Sequence, residues 1–358
     1  MAKRLILAIN PGSTSTKIAL FEEDKLLFDR TLRHRAEDLG RFSSIVEQFH
    51  FRKDLVLTEL LNQGYGLDQL SAIIGRGGLV KPIESGIYNV NEAMLNDLAQ
   101  GTMGEHASNL GALIANDLAS AQPGLKAYIV DPVVVDELEP VARISGHPAL
   151  ERISIFHALN QKAVARTYAS SLNRKYEEMN LIVAHMGGGI SVGAHRKGRV
   201  IDVNNALNGE GPFSPERSGT LPSAQLADLC FSGKYSLREV KAMITGKGGI
   251  VAYLGTNNFI EVCRRADSGD READLIREAI AYQIAKEIGA MATVLDGRVD
   301  AILFTGGLAY QESHVERIVK KVSFISKVVV YPGEDEMQAL AFNGLLALDG
   351  RISIRTYS

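Results

Sequence analysis

Short aliphatic runs bounded by turn residues alternate along this chain with longer stretches whose apolar positions recur three and four apart. "LILAIN", from Leu5, and "KIALFEEDKLLFD", from Lys17, are rich in aliphatics and predict strands, with "EED" and Lys25 turning a hairpin between them. The opening therefore reads strand, Gly/Ser loop, strand, turn, strand. The same order returns near mid-chain in "LIVAHMGGGISVGAHRKGRVIDV". Laid over each other from Leu5 and Leu181, the segments match in apolar pattern, in Gly12 with Gly188 and in Ser15 with Ser191. "RKG" at Arg196 to Gly198 takes the place of the first hairpin turn. Two copies about half a chain apart predict duplicated domains.

Further along, "VDAILFTGGLAYQESHVERIVKKV" predicts a buried strand, a Gly-Gly turn and an amphipathic helix. "AYIVDPVVVDEL" predicts a buried strand ending at Asp131 and Pro132. "ADLIREAIAYQIAKEIGAMATVL" predicts a long helix with an apolar face of Leu275, Ile276, Ala279, Ile280, Ile284 and Ile288. Strands alternating with helices place the chain in the α/β class, with mixed sheets covered by helices. A length of 358 residues suits two domains.

The formal net charge of −3 provides no electrostatic reason to bind nucleic acid or an anionic membrane. No run approaches the ~20 apolar residues that span a bilayer. "MAKR" ahead of "LILAIN" raises the question of a signal peptide. The apolar run is short, has no small-x-small cleavage site and is broken by Asn10 and Pro11, so a buried first strand is the expectation. Cys230 and Cys263 form no metal or redox spacing and fit a reducing compartment, hence an expected cytoplasmic location.

Candidate chemistry begins with "AINPGSTSTKIALFE", Ala8 to Glu22. A Walker-type loop needs G-x-x-x-x-G-K-[ST] leading into a helix. Here Lys17 follows Thr16 and precedes Ile18, and what comes after is strand-like. "HMGGGISVG" likewise opens a strand where a dinucleotide fingerprint opens a helix. What fits both is a tight loop between antiparallel strands, with amides, hydroxyls and one ammonium aimed at a shared anion. Two such hairpins, one per domain, would hold a polyphosphate from both sides.

"NPGSTSTK" resembles the first phosphate loop of the acetate kinase (acetokinase) family, within the actin, sugar-kinase and heat-shock-70-like (ribonuclease H-like) superfamily. Other landmarks follow in the family's order. "GRGG" at Gly75 to Gly78 resembles its arginine segment, Phe156-His157 its catalytic histidine and "HMGGG" at His185 to Gly189 its second phosphate loop. "ERSGTLP" around Arg217, "FTGGLAY" and "EDEMQALA" resemble the second arginine segment, the adenosine motif and the C-terminal acidic segment. The chain is shorter than acetate kinases, carries "GRGGLVKPIESG" in place of a longer His- and Val-rich run, and has "GGG" where they have "GNG". Those variants resemble the butyrate kinase branch of the family, which acts on short-chain fatty acids.

The resemblance implies two duplicated α/β domains of this superfamily with a nucleotide cleft between them. Expected boundaries are residues 1–153 plus 338–358, with the C-terminal helix packed back, and residues 154–337. It also assigns roles to residues that have ordinary readings by pattern alone. Asn10, Ser13, Ser15 and Lys17 form a polar hairpin turn, or touch nucleotide phosphates. Arg76 and Arg217 are solvated loop cations, or neutralise substrate and moving phosphoryl, for which a guanidinium fork suits. Asp131 is a strand-end turn residue, or acts near the metal at the carboxyl end of a strand, where open sheets bind ligands. His157 is a structural histidine, or catalytic. His106 and His185 hydrogen-bond backbone, or contact substrate and nucleotide respectively.

Gly187, Gly188 and Gly189 belong to the second phosphate loop. Gly306 and Gly307 are a strand-to-helix turn, or a bed for adenosine. Glu336 is a helix-start charge, or with Asn10 holds Mg²⁺, Asp335 and Glu334 being the alternatives. The implied reaction is reversible: butyrate plus ATP gives butyryl phosphate plus ADP. The implied partners are a small carboxylate and ATP/ADP, without nucleic acid or membrane, in a homodimer or higher homo-oligomer. Rival readings are an acetate or propionate kinase and a nucleotide-gated, chaperone-like binding protein of the same superfamily.

Overall fold

The computed structural model describes residues 4–358. Met1, Ala2 and Lys3, on which the targeting question turned, lie outside the described residues. In chain order the strands are β1 (Leu5–Pro11), β2 (Ser15–Glu22), β3 (Lys25–Arg33), β4 (Leu70–Arg76), β5 (Ile87–Asn89) and β6 (Lys126–Val130). They continue as β7 (Asn180–Met186), β8 (Ile190–Arg196), β9 (Arg199–Val203), β10 (Ala301–Gly306), β11 (Val328–Pro332) and β12 (Ile354–Thr356). Two compact units result: residues through Val135 with Asp335–Ser358, and Asp136–Glu334.

The first unit holds a seven-stranded sheet in the order β12-β5-β6-β4-β1-β2-β3. Within it β1, β2 and β3 run as an antiparallel meander, while β4 joins β1 and β6 joins β4 in parallel. The second unit holds a five-stranded sheet, β11-β10-β7-β8-β9. Its meander is β7-β8-β9, with β10 parallel to β7 and β11 parallel to β10. Five strands thus repeat in the same order and the same sense. The duplication expected from the matched apolar patterns is present.

Alternation of side chains along each strand decides what covers the sheets. In β7, Ile182, Ala184 and Met186 join one core with Ile276, Ile280, Ile284 and Ile288 of the helix Arg271–Val294. Leu181 and Val183 face the other way, onto Ala165, Tyr168 and Ala169 of the helix Ala158–Ser171. The long helix starts where the Asp270 side chain accepts from the Glu272 and Ala273 amides. Leu275, expected on its apolar face, is instead 67% exposed. It sits one residue, about 100° of helix, off the stripe that Ile276 begins.

In the first unit Leu7, Ile9, Ile18, Leu20, Ile73 and Ile129 form the core, together with Leu110, Ile114 and Leu118 of the helix Asn109–Ser120. The helix Glu336–Leu348 packs on β1 and β4. The division between units differs from the sequence-based boundaries on both sides. Residues 136–153 belong with the second unit because Glu137 pairs with Lys162 and accepts from the Val200 amide, while Arg152 reaches Asp202 and Glu210. Residues 335–337 belong with the first because Asp335 caps the helix that docks there.

Candidate active-site residues on the two units

At the carboxyl ends of the first unit's parallel strands, three expected residues converge. Asn10, next to last in β1, lies beside Arg76 at the end of β4, since Ile9 is in register with Gly75. Arg76 Nη1 donates to Asn10 Oδ1 at 3.2 Å and to Glu336 Oε2 at 2.9 Å, and Asn10 Nδ2 donates to the same Glu336 oxygen at 2.6 Å. The Glu336 carboxylate is only 9% exposed, so the Arg76 charge offsets the cost of burying it. Asp335 serves the helix instead, accepting from the Gln338 amide at 3.2 Å. Among the three acidic candidates, Glu336 is therefore the one built into this cluster.

The "GRGG" motif has a packing reason. A side chain at Gly75 would collide with the backbone of Gly111, and one at Gly111 with the backbone of Arg76. The first turns of the helix Asn109–Ser120 thus lie against the end of β4 and hold the Arg76 backbone in place. Asp131 follows Val130, the register partner of Arg76. Its Oδ1 accepts from the Ser85 hydroxyl at 2.6 Å and the Gly86 amide at 2.8 Å, so it also organises the segment leading into β5. His106 stands just before the helix, exposed, with Nδ1 accepting from the Ser108 amide at 3.2 Å.

The first hairpin loop carries Ser13 at its tip, between β1 and β2. Ser15 opens β2, and Lys17 is the register partner of Asn10, 3.8 Å from the Asp29 carboxylate. Beneath the loop lies Arg52, which the sequence reading missed. Its side chain is fully buried. Nη1 donates to the carbonyls of Gly12 (2.7 Å) and Ser15 (3.0 Å), and Nη2 to that of Ser13 (3.1 Å), while Nε and Nη2 reach Gln48 Oε1. Drawing the loop carbonyls inward in this way suits a loop whose amides and hydroxyls are to meet an anion. Burial lowers the guanidinium pKa. A sequence signal existed: Arg52 begins the i, i+4 series Arg52, Val56, Leu60, the buried stripe of the helix Phe49–Asn62.

In the second unit the loop Gly187–Gly189 joins β7 to β8, closed by the Gly187 amide donating to the Gly189 carbonyl at 3.0 Å. Arg217 lies against it: any side chain at 189 would strike the guanidinium, which donates to the Ala206 carbonyl at 2.6 Å. Burial lowers the Arg217 pKa. The Ser214 hydroxyl donates to the Gly188 carbonyl at 2.6 Å. Gly306 ends β10 at φ 89°, and a side chain there would meet the Met186 backbone, so it lets the neighbouring strand end close on the loop. Gly307 opens the short 3₁₀ turn Gly307–Tyr310 that follows.

The two expected histidines of this unit are brought face to face. His157 and His185 stack with ring centroids 3.7 Å apart and planes 11° from parallel. His185 is fully buried at the end of β7, its Nδ1 2.8 Å from Asn160 Oδ1. Its Nε2 lies 3.0 Å from Glu334 Oε1. His157 precedes the helix Ala158–Ser171, with Nδ1 2.9 Å from Ser191 Oγ. Asn160, Gln161 and His195, which surround this pair or its partners, were not singled out in the sequence because nothing in their spacing marks them.

The fold is that of a short-chain carboxylate kinase. A crystal structure of acetate kinase from Porphyromonas gingivalis matches with a TM-score of 0.76, covering 96% of this chain and all of that one at 19% identity. A propionate kinase from Francisella tularensis matches with a TM-score of 0.75, covering 95% of this chain and 98% of that one, also at 19% identity. Residues 150–329 match the acetokinase family, and "Butyrate kinase 2" of Clostridium acetobutylicum is 57% identical over 352 residues, 98% of this chain and 99% of that relative. The chain belongs to the acetokinase family.

Proposed function

We propose that this chain catalyses reversible phosphoryl transfer between ATP and butyrate, or a related short-chain or branched fatty acid, giving the acyl phosphate and ADP. The observation that carries the reading is the 57% identity to a butyrate kinase along essentially the whole length of both chains. The clustered Asn10, Arg76 and Glu336 and the second loop with Arg217 beside it are the chemistry such a reaction needs.

A carboxylic acid with a pKa near ~4.3 is already ionised at pH 7, so no base has to generate the nucleophile. The work lies in bringing two anions together and stabilising charge on the transferring group. Arg76, with five N–H donors of which Nη1 serves Asn10 and Glu336, orients the acid or the moving phosphoryl. Arg217 neutralises phosphoryl charge at the second loop, and His157 donates a hydrogen bond to a phosphoryl oxygen in the transition state. Asn10, Ser13, Ser15, Lys17, His185 and Gly187 to Gly189 receive the phosphates; Gly306 and Gly307 receive adenosine; His106 lies on the acid's side; Asp131 supports the end of β6.

The family implies Mg²⁺. Among the described residues no group of three or more His, Cys, Asp or Glu gathers as a metal cage. The residues present still fit, because Mg²⁺ keeps several waters and takes nucleotide oxygens plus one or two carboxylates. Glu336, oriented by Asn10, is the carboxylate assigned to it. The metal would neutralise phosphate charge when bound. Among the described residues no helix is long and apolar enough to cross a membrane. A cytoplasmic location and a homo-oligomeric state complete the proposal.

A hydroxamate assay over acids of two to five carbons tests it. Each buried methylene is worth roughly 0.8 kcal/mol, so butyrate should outperform acetate by up to about fifteenfold. A preference for acetate would move the assignment to acetate kinase. ATP hydrolysis independent of any acid would favour the chaperone-like rival and overturn the reading.

A further inference from the structure

Behind His157 runs a chain of buried hydrogen bonds whose direction can be read. Gln161 Nε2 is 3.1 Å from the Ser191 carbonyl and 2.8 Å from Ser191 Oγ. A carbonyl only accepts, which places the amide nitrogen of Gln161 on this side and its oxygen on the other. Gln161 Oε1 is 2.9 Å from His195 Nε2, so that nitrogen carries a proton. His195 is fully buried, and burial together with the charges of Lys162 and Arg166 holds its pKa well below the usual histidine range. The ring is therefore neutral, and its Nδ1 accepts from the Tyr176 hydroxyl at 2.7 Å.

At the other end, Ser191 Oγ accepts one Gln161 proton and has its own to give. His157 Nδ1 lies 2.9 Å away and can take it. An Nδ1 that accepts leaves the proton of a neutral imidazole on Nε2. The stacked His185 ring restrains the plane of His157 at the same time. Turning the Gln161 amide over would set its oxygen against the Ser191 carbonyl, whereas Ser191 Oγ, with one proton and two lone pairs, is the one member able to take either role toward His157.

We propose that Tyr176, His195, Gln161 and Ser191 form a positioning relay that locks His157 in its Nε2-protonated tautomer, so that the ring presents a hydrogen-bond donor to the transferring phosphoryl group. This rests on the role of His157 proposed above. None of the four relay residues touches the substrates; they act through His157.

The test is the ring proton itself. In protein labelled with ¹⁵N-histidine, the His157 signals are assigned by their loss in His157→Gln, and the protonated nitrogen is read without nucleotide or acid. The relay expects Nε2–H. Gln161→Glu is nearly isosteric but offers Ser191 an acceptor in place of a donor, turning the serine hydroxyl away from His157. The proton of His157 should then move to Nδ1. Turnover should fall ~10–100-fold, as when the partner orienting a metal-bound histidine is lost, with KM for ATP within about twofold. Should Gln161→Glu not fold, Ser191→Ala removes the donor to Nδ1 and should give a mixture of tautomers.

Nδ1–H in the unaltered protein overturns the relay, as does a pure Nε2–H signal in either variant. A fall in melting temperature with an unchanged tautomer would mark these residues as structural and overturn it too. Because the readout needs no turnover, Nε2–H in a protein that phosphorylates no acid would support the relay while refuting the reaction.

Discussion

In the first hairpin the carbonyls of Gly12, Ser13 and Ser15 converge on one buried guanidinium, that of Arg52. In the second, the Gly188 carbonyl takes a serine hydroxyl and Gly189 lies under the half-buried Arg217. The strands around them repeat in order and direction, yet the braces differ: Arg52 beneath the first loop, Ser214 and Arg217 against the second. Both loops have an arginine, and burial separates their work. Arg52 satisfies backbone carbonyls as a fully buried cation beneath the loop. Arg217 gives a nitrogen to Ala206 and stands at the loop where phosphate charge is proposed to gather. A duplicated backbone preserves hydrogen-bond register, while the side chains that brace it diverge with whatever packs beneath.

The largest effect is expected at Arg76, which joins Asn10 and Glu336 in the first unit. Arg76→Ala should cost at least ~2 kcal/mol of transition-state stabilisation, about thirtyfold in kcat/KM, as for one preorganised donor. Steady-state kinetics near normal would remove Arg76 from the mechanism. Next, Arg52→Met leaves three loop carbonyls without their donor and should destabilise the first unit by ~1.5–3 kcal/mol, the worth of hydrogen bonds to a charged group. Hydrogen exchange should quicken at Thr16 and its neighbours and stay unchanged at His185 to Ile190. Equal quickening in both hairpins would show that the two loops are not braced independently.

A pair of glycine substitutions sharpens the same contrast. Gly189→Ala must displace the Arg217 guanidinium and should lower turnover about tenfold, a loss of ~1.4 kcal/mol. At Gly12 an added methyl would meet only Ser15 O at 3.6 Å and Oγ at 3.8 Å, ordinary contacts. Gly12→Ala should therefore leave the melting temperature of the ligand-free protein within the ~0.5 kcal/mol of a benign substitution. A large loss there would mean the first loop is as tightly hemmed in as the second.

The smallest effect concerns acid. Two buried histidines lie outside both the proposed site and the hydrogen bonds behind His157. In the first unit, His34 meets Thr16 Oγ1 at 2.9 Å, and burial, with Arg52 nearby, lowers its pKa from 6.5 to about 4. In the second unit, His314 packs edge-on to Phe259 with neither ring nitrogen hydrogen-bonded among the described residues, and burial lowers its pKa to about 3. Above pH 6.5 both are neutral folded or unfolded. As pH falls below that, only the unfolded chain takes up protons, so stability declines until the folded values are reached. At pH 5.5 the loss should be about 1 kcal/mol per histidine. Urea unfolding at pH 7 and 5.5 measures it, and His314→Leu should remove that residue's share. An unchanged midpoint would contradict burial as neutral rings.

Much of the fold was legible because strands and helices write their period into the sequence. Leu181 to Val203 repeats the aliphatic-loop-aliphatic rhythm of the opening, and the two meanders followed from it. Most proposed site residues were legible for a related reason: Asn10, Arg76 and His185 stand at strand ends beside glycines or hydroxyls, where a local string is distinctive. Leu275 was misread since a helix carries several overlapping apolar stripes and only packing chooses one. Arg52, Gln161 and His195 left little trace, being common residues on ordinary-looking helices and strands whose telling partners are distant in the chain: the loop carbonyls lie 37 to 40 positions from Arg52, and Ser191 and His195 lie 30 and 34 from Gln161.

By itself the sequence determined the α/β class, the duplicated meander, its glycine loops and the family to which the chain belongs, all of which depend on local periodicity and short strings. Only the tertiary structure decided that Glu336, rather than Asp335, joins Asn10 and Arg76, that Arg52 underpins the first loop, and that His157 meets Ser191. These arrangements depend on which face each helix turns to its sheet. That choice is set by burial summed over the whole core and is written in no single stretch of the chain.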